Sequence, residues 1–236
     1  MFMRLLAIDG SGLVASIAIV EDDILLGEYT TGYKKTHSQT LLPMIDEVTR
    51  MLELDIDTVD AIAVAAGPGS FTGLRIASAT AKGIGLALDK PIISVPTVDA
   101  LAYNIWGCHD VICPIMDARR GQVYTGLYTF SEKNNFEIIK EQCAIGFEEI
   151  AQCINEVGKP VVFLGDGVPV FENQIKDLIK ADYSFAPAGF NRQRASAVAV
   201  LGQRMYDAGL FENADDHRPE YLRLSQAERE RQEKGL

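Results

Sequence analysis

A chain of 236 residues, 47% hydrophobic and 23% charged, has the composition of a globular protein with one large core or two smaller ones. Its formal net charge of −11 excludes a nucleic-acid footprint spread over the whole surface, so RNA contact requires a local basic patch or a basic partner. The start MFMRLLAIDGS carries too short an apolar run for a signal peptide, and no later run approaches membrane-spanning length. Cys108, Cys113, Cys143 and Cys153 form no CxxC pair, which points to reduced thiols in a cytoplasmic chain.

Residues 3–9 read as a strand ending at Asp9, followed by a tight turn through Gly10, Ser11 and Gly12. LVASIAIV (13–20) and ILLGEYTT complete an antiparallel meander. A helix follows, with Ser38 or Thr40 as its expected cap and Pro43 in its first turn. Its stripe of Leu41, Ile45, Val48 and Leu52 is widened by Met44 and Met51.

The next stretch, AIAVAAGPGSFTGLRIASATAKGIGLAL, reads as a buried strand, a glycine turn and a helix. Ser70 or Thr72 is placed to cap this helix. Together with Gly67, Gly69 and Gly73, the turn offers backbone N–H donors at a positive helix end, a potential anion seat. Equally, the glycines serve only to let strand and helix pack closely. The helix is poor in polar residues, with Arg75 and Lys82 on one face and an apolar stripe of Leu74, Ala77, Ala81, Ile84 and Leu88. IISV makes a short fifth strand, and Thr97 is the expected cap of a helix running to about Trp106.

The order then repeats. VICPIMDARRGQVYTGLYTF gives strand, turn and strand, with Asp117 ending the first strand as Asp9 does. FEIIKEQ is a third strand and FEEIAQCINEVG a helix. VVFLGDGVPVFENQIKDLIK gives strand, Gly165/Gly167 turn and helix, and ASAVAVLGQRMYDAG a final helix. The expected division is residues 1–106 and 107–224 as two similar domains, with 225–236 a polar tail.

Two acidic strand ends and a glycine turn in each half resemble the α/β actin, Hsp70 and hexokinase architecture, in which two duplicated domains close over a nucleotide. The resemblance puts Asp9, Ser11, Gly12 and Asp117 near the phosphates and Gly165-Asp166-Gly167 near the adenosine. It implies at most ATP or ADP with Mg²⁺, at low affinity or only within a complex. GPGSFTGLRI, SVPTVDALA, DARRGQVY and PEYLR are similar, in that order, to the TsaB (YeaZ) family, and the likeness runs over essentially the whole chain. Gly10 departs from the threonine that many members carry there.

That resemblance implies a part in making threonylcarbamoyladenosine at position thirty-seven of tRNA. The chain would be a partner of the TsaD-like catalytic subunit and a TsaE-like ATPase, touch tRNA only indirectly, and form a homodimer in isolation. The catalytic relative holds its metal with two histidines four apart. Here His37, His109 and His217 have no such spacing, and no metal site or catalytic residue is expected. Two wide apolar helices predict a partner interface including Met44, Val48, Met51, Arg75, Ala77, Ala81 and Ile84, built as a four-helix bundle. The alternatives are a nucleotide-binding enzyme, either a small-molecule kinase or peptidase-like, and a homodimeric nucleotide-binding protein.

Overall fold

In the computed structural model, residues 3–33 and 35–223 are described; the predicted polar tail lies outside them. The first half runs β1 (Arg4–Asp9), β2 (Ala15–Glu21), β3 (Ile24–Thr31), α1 (His37–Met51), β4 (Ala61–Gly67), α2 (Phe71–Leu88), β5 (Ile92–Pro96) and α3 (Thr97–Tyr103). The second runs β6 (Val111–Asp117), β7 (Gln122–Phe130), β8 (Phe136–Gly146), α4 (Phe147–Val157), β9 (Val161–Leu164), α5 (Val168–Leu178), β10 (Tyr183–Phe185) and α6 (Ala195–Asp207). The sheets are ordered β3-β2-β1-β4-β5 and β8-β7-β6-β9-β10. In each, the first strand pairs antiparallel with the second and parallel with the fourth. This is the duplicated actin-like α/β fold.

Strands β1, β2, β4 and β5 of sheet one are buried, whereas β3 at its edge is largely exposed, and the buried residues divide between two cores. Leu6, Ile8, Ile62 and Val64 pack with the apolar residues of α1 and α2, whereas Ala7, Ala61, Ala63 and Ala65 join the central core with α6. The small face lets a helix sit close: a Cβ added at Gly202 of α6 would lie 2.7 Å from the Ala63 Cβ. Sheet two follows the same plan, with α4 and α5 on its outer face. The inner faces of both sheets, with α3 and α6, form one continuous core.

The boundary at residue 106 separates the strands but not the helices. Helix α6, from the second half, packs on β1, β2, β4 and β5; α3, from the first, reaches β6, β7 and β8. The N-terminus of α6 is held by the first sheet, where the Ala195 N–H donates to Ser16 Oγ at 2.9 Å. Glu28 Oε1 accepts from the Ser196 N–H and hydroxyl at 3.0 and 2.7 Å, and Glu28 Oε2 pairs with Arg194.

Local expectations are corrected at two helix starts, α1 and α3, and borne out at α2. Helix α1 is capped by Thr36 in a capping box with Gln39, rather than by Ser38 or Thr40, so Pro43 lies inside the helix and not in its first turn. Of the two candidate caps for α2, Ser70 holds the position and accepts from the Gly73 N–H at 3.3 Å. Pro96 precedes α3, and Thr97 instead turns its hydroxyl to the Gly67 N–H at 3.1 Å.

Candidate functional site

The two strand-end turns face each other across a cleft of about 340 Å³. Ser11, Gly12, Pro68, Gly69 and Ser70 lie on one side; Asp117, Ala118, Arg119 and Asp166 lie on the other. In both turns the aspartate closes a local ring. Asp9 Oδ1 accepts from the Ser11 N–H at 2.8 Å and hydroxyl at 2.6 Å; Asp117 Oδ1 accepts from the Arg119 N–H at 2.8 Å. Such side-chain-to-backbone bonds are ordinary turn chemistry for aspartate.

The expectation that Asp9 faces Asp117 across the cleft is corrected. Asp9 is 1% exposed and does not line the cleft. Burial pushes its carboxyl up to about 6, against the opposing pull of the Ser11 bonds and the nearby His37. His37 Nε2 bonds the Gly12 carbonyl at 3.1 Å and braces the same turn. The sequence also gave no hint of Gln193, a 1% exposed amide whose side chain a Cβ on Gly12 would strike at 2.5 Å. Asp9 Oδ2 and both Gln193 amide atoms are buried without a hydrogen-bond partner among the described residues, and neither residue lines the cleft.

The glycine turn before α2 works by close packing. A Cβ at Gly69 would lie 2.4 Å from the Ser11 carbonyl oxygen, and one at Gly73 would lie 2.1 Å from that of Gly10. Three donors of the expected anion seat already have protein acceptors: the Gly67 N–H bonds Thr97, the Ser70 N–H bonds Ser11 and the Gly73 N–H bonds Ser70. Thr72 is exposed. The second half repeats the device, since a Cβ at Gly165 would lie 2.2 Å from the Ile115 carbonyl oxygen. Asp166 between its glycines is raised by burial, with Arg192 opposing the shift.

A strap of the chain's own residues crosses the cleft. The Glu220 N–H donates to the Ala66 carbonyl at 2.7 Å, and the Tyr221 ring stacks on Phe71 with centroids 4.5 Å apart. Arg223 donates to the Ala118 carbonyl on the far side. A Mg²⁺–nucleotide does not fit this arrangement. Asp9 is sealed away, Asp117 is paired with Arg119 at 3.0 Å, and the strap residues 220–223 themselves line the cleft.

The expected partner face is also redrawn. Met44, Val48, Ala77 and Ala81 are buried in the chain's own core, and Ile84 packs against that core. Met51 (70% exposed) and Arg75 do face outward. The width of these helices reflects packing against both the sheet and each other. The outward face of α2 is instead Thr72, Arg75, Ala79, Gly83 and Leu86.

One constellation escaped the sequence reading because its members are far apart in the chain. Ser94, Glu212 and the fully buried His217 meet, with Ser94 Oγ 2.6 Å from Glu212 Oε1. Both contact the same ring nitrogen, His217 Nδ1, at 2.9 and 3.0 Å. In a hydrolytic triad the serine and the carboxylate bond opposite nitrogens, so this set lacks the proton path of a peptidase. Among the described residues no group of three or more His, Cys, Asp or Glu is placed to hold a metal, and no helix is long and apolar enough to cross a membrane.

The comparisons agree with the duplicated architecture. Residues 25–231 match the family model described as TsaD, tRNA N6-adenosine threonylcarbamoyltransferase. The chain is 35% identical over 228 residues to the tRNA threonylcarbamoyladenosine biosynthesis protein TsaB of Bacillus subtilis, covering 96% of each. It is 29% identical to the Escherichia coli TsaB over 70% of this chain and 72% of that one. The solved structure of YeaZ from Pseudomonas aeruginosa superposes with a TM-score of 0.78 at 25% identity, covering 93% of this chain and all of the other. The chain belongs to the TsaB (YeaZ) family of tRNA threonylcarbamoyladenosine biosynthesis proteins.

Proposed function

We propose that the chain is a non-catalytic partner and activator of a TsaD-like transferase, which carries out threonylcarbamoyl transfer to adenosine thirty-seven of tRNA. A TsaE-like ATPase is the further partner, and the setting is the cytoplasm. The observation that carries this reading is the outward face of α2. Thr72, Arg75, Ala79, Gly83 and Leu86 recur at three- and four-residue steps on the exposed side of a helix whose other side is fully engaged. A Cβ added at Gly83 meets nothing within 4 Å, so a second helix has room to approach the backbone closely. A TsaD-like subunit with the same duplicated fold offers a matching helix pair, and a second copy of this chain offers one too, which makes homodimer and heterodimer alternatives on one surface.

Co-purification with the TsaD-like protein of the same cell, followed by mass spectrometry of modified nucleosides from a reconstituted reaction, tests the reading. The expected result is a stoichiometric complex, with modification requiring both chains. Product formed from threonylcarbamoyl-adenylate and tRNA by this chain alone would overturn the non-catalytic role. Absence of association would overturn the partner role.

A further inference from the structure

A second cavity, of about 380 Å³, opens between α2 and the segment 217–221, outside the inter-turn cleft. Arg75, Ser78, Lys82, His217, Arg218 and Tyr221 line it, and no carboxylate does. In a chain of net charge −11 such a concentration of positive charge is locally built. Arg75 and Lys82 stand two turns apart on one side of α2, and Arg218 arrives from the far end of the chain.

None of the three cations forms an ion pair with a carboxylate among the described residues; each is steered by neutral groups instead. Lys82 Nζ donates to the carbonyls of Asp215 and His217 at 2.9 and 3.2 Å. Arg218 Nη1 donates to the same two carbonyls at 2.8 and 2.7 Å, which holds two like charges side by side. Arg75 Nε donates to the Tyr221 hydroxyl at 3.2 Å, and its guanidinium lies 4.1 Å over the Phe71 ring. Carbonyls and rings orient these groups without neutralising them, and an anion placed among them would offset their mutual repulsion.

His217 closes the inner wall of the cavity. It is 0% exposed, and its Nε2 is buried without a partner. With Nδ1 engaged by Glu212 and Ser94, the hydrogen donated from that nitrogen leaves Nε2 as an acceptor in the neutral ring and a donor in the charged one. A polar atom this deeply buried normally has a partner.

We propose that this cavity binds a phosphoryl oxyanion, held by Arg75, Lys82 and Arg218. A phosphoryl group suits the site because it presents several charged oxygens to several donors and carries a proton near neutral pH. The source is a free phosphate or nucleotide, or a phosphate of an RNA backbone; what they share is anionic phosphoryl oxygens facing the three cations. The inference rests on the cavity alone and does not depend on the role as a transferase partner.

Titration of inorganic phosphate into the isotope-labelled full chain, followed by amide NMR at low ionic strength, tests it. Residues 78–82 and 215–219 should shift, and chloride at equal ionic strength should leave them in place. Lys82→Gln and Arg75→Gln should each weaken binding by about tenfold, the loss of one charge-assisted hydrogen bond. Arg75 is exposed, so its variant keeps the test alive if Lys82→Gln proves unstable. Tighter binding of ADP than of phosphate, lost in the same variants, supports the site with a nucleotide as the source. RNA binding whose salt dependence falls by about one ion per removed cation supports it with RNA as the source. No shift at millimolar phosphate, an equal response to acetate, or full binding by both variants would overturn the proposal.

Discussion

Asp9 and Asp117 close equivalent turns in the two halves, each accepting the backbone N–H two residues further on at 2.8 Å through Oδ1. Their surroundings then diverge. Asp9 keeps its second contact inside the protein, with the Ser11 hydroxyl, whereas Asp117 turns its other oxygen to the largely exposed Arg119. One half of a symmetric pair has thus been absorbed into the core, and the other still lines the cleft. With one turn sealed and residues 220–223 lining the cleft, Asp9 and Asp117 are not both open to it.

The sealed carboxyl has a signature in the dependence of stability on pH. The Asp9 carboxyl is raised in the folded chain from 3.8 to about 6, so the unfolded chain loses its proton first as pH rises. The folded state therefore loses stability between about pH 4 and 6, and the loss is complete above that window. Asp9→Asn keeps an acceptor for the Ser11 bonds without the buried charge. Its stability relative to the unsubstituted chain should rise through that window, by up to roughly 3 kcal/mol at pH 7. Urea unfolding of both proteins at pH 4 and pH 7 measures this, and a pH-independent difference would refute it.

Gly73 tests the packing account of the glycine turn. An added Cβ would lie 2.1 Å from the Gly10 carbonyl oxygen and 3.1 Å from the His37 ring, and the first of these is backbone that cannot swing aside. Gly73→Ala should cost at least about 3 kcal/mol, despite the better helix propensity of alanine. A thermal melt within a few degrees of the unsubstituted protein would show that the turn and α2 are not locked together.

The α2 faces separate partner binding from folding. Gly83→Arg places its side chain in open space and replaces glycine inside a helix, so the monomer should melt at an equal or higher temperature. Association with a second copy or with a TsaD-like chain should be lost, because the stripe no longer admits a neighbouring backbone. Ala77→Arg buries a charge at a 0% exposed position and should unfold the chain outright. Sedimentation of the Gly83 variant decides the matter: undiminished association would remove the α2 face as the interface.

Much of this was legible from the residues. The short apolar run AIAVAAG, the glycine turn and the repeated order of elements forecast two like halves, and the two sheets share one strand order. What stayed hidden has physical reasons. Ala77 and Ala81 read as interface because a helix clamped between a sheet and another helix shows as wide an apolar face as one awaiting a partner. The exchange of α3 and α6 between sheets leaves no periodic trace, since amphipathicity records that a face is buried and not by what. Strand β10 is three exposed residues at a sheet edge, too short for any pattern. Ser94 and His217 are 123 positions apart, so only the fold brings them together.

The exchange of helices makes Glu28 a joint between the halves. Its two oxygens receive the Ser196 N–H, the Ser196 hydroxyl and the Arg194 guanidinium at the start of α6, where a negative charge also meets the positive helix end. The Glu28 side chain is only 10% exposed and that of Arg194 34%, so removing the carboxylate leaves a partly buried cation and an unpaired N–H. Glu28→Ala should cost roughly 2–4 kcal/mol, and Glu28→Gln, which keeps an acceptor without the charge, about half of that. The loss should be uneven along the chain. Amide exchange ought to accelerate first in α6 and in the β1 and β2 segments beneath it, while α4 and α5 on the far sheet keep their protection until global unfolding. Uniform acceleration would show that the two halves open as one unit, and no acceleration would show that Glu28 merely decorates a helix end that the alanine face of sheet one already holds.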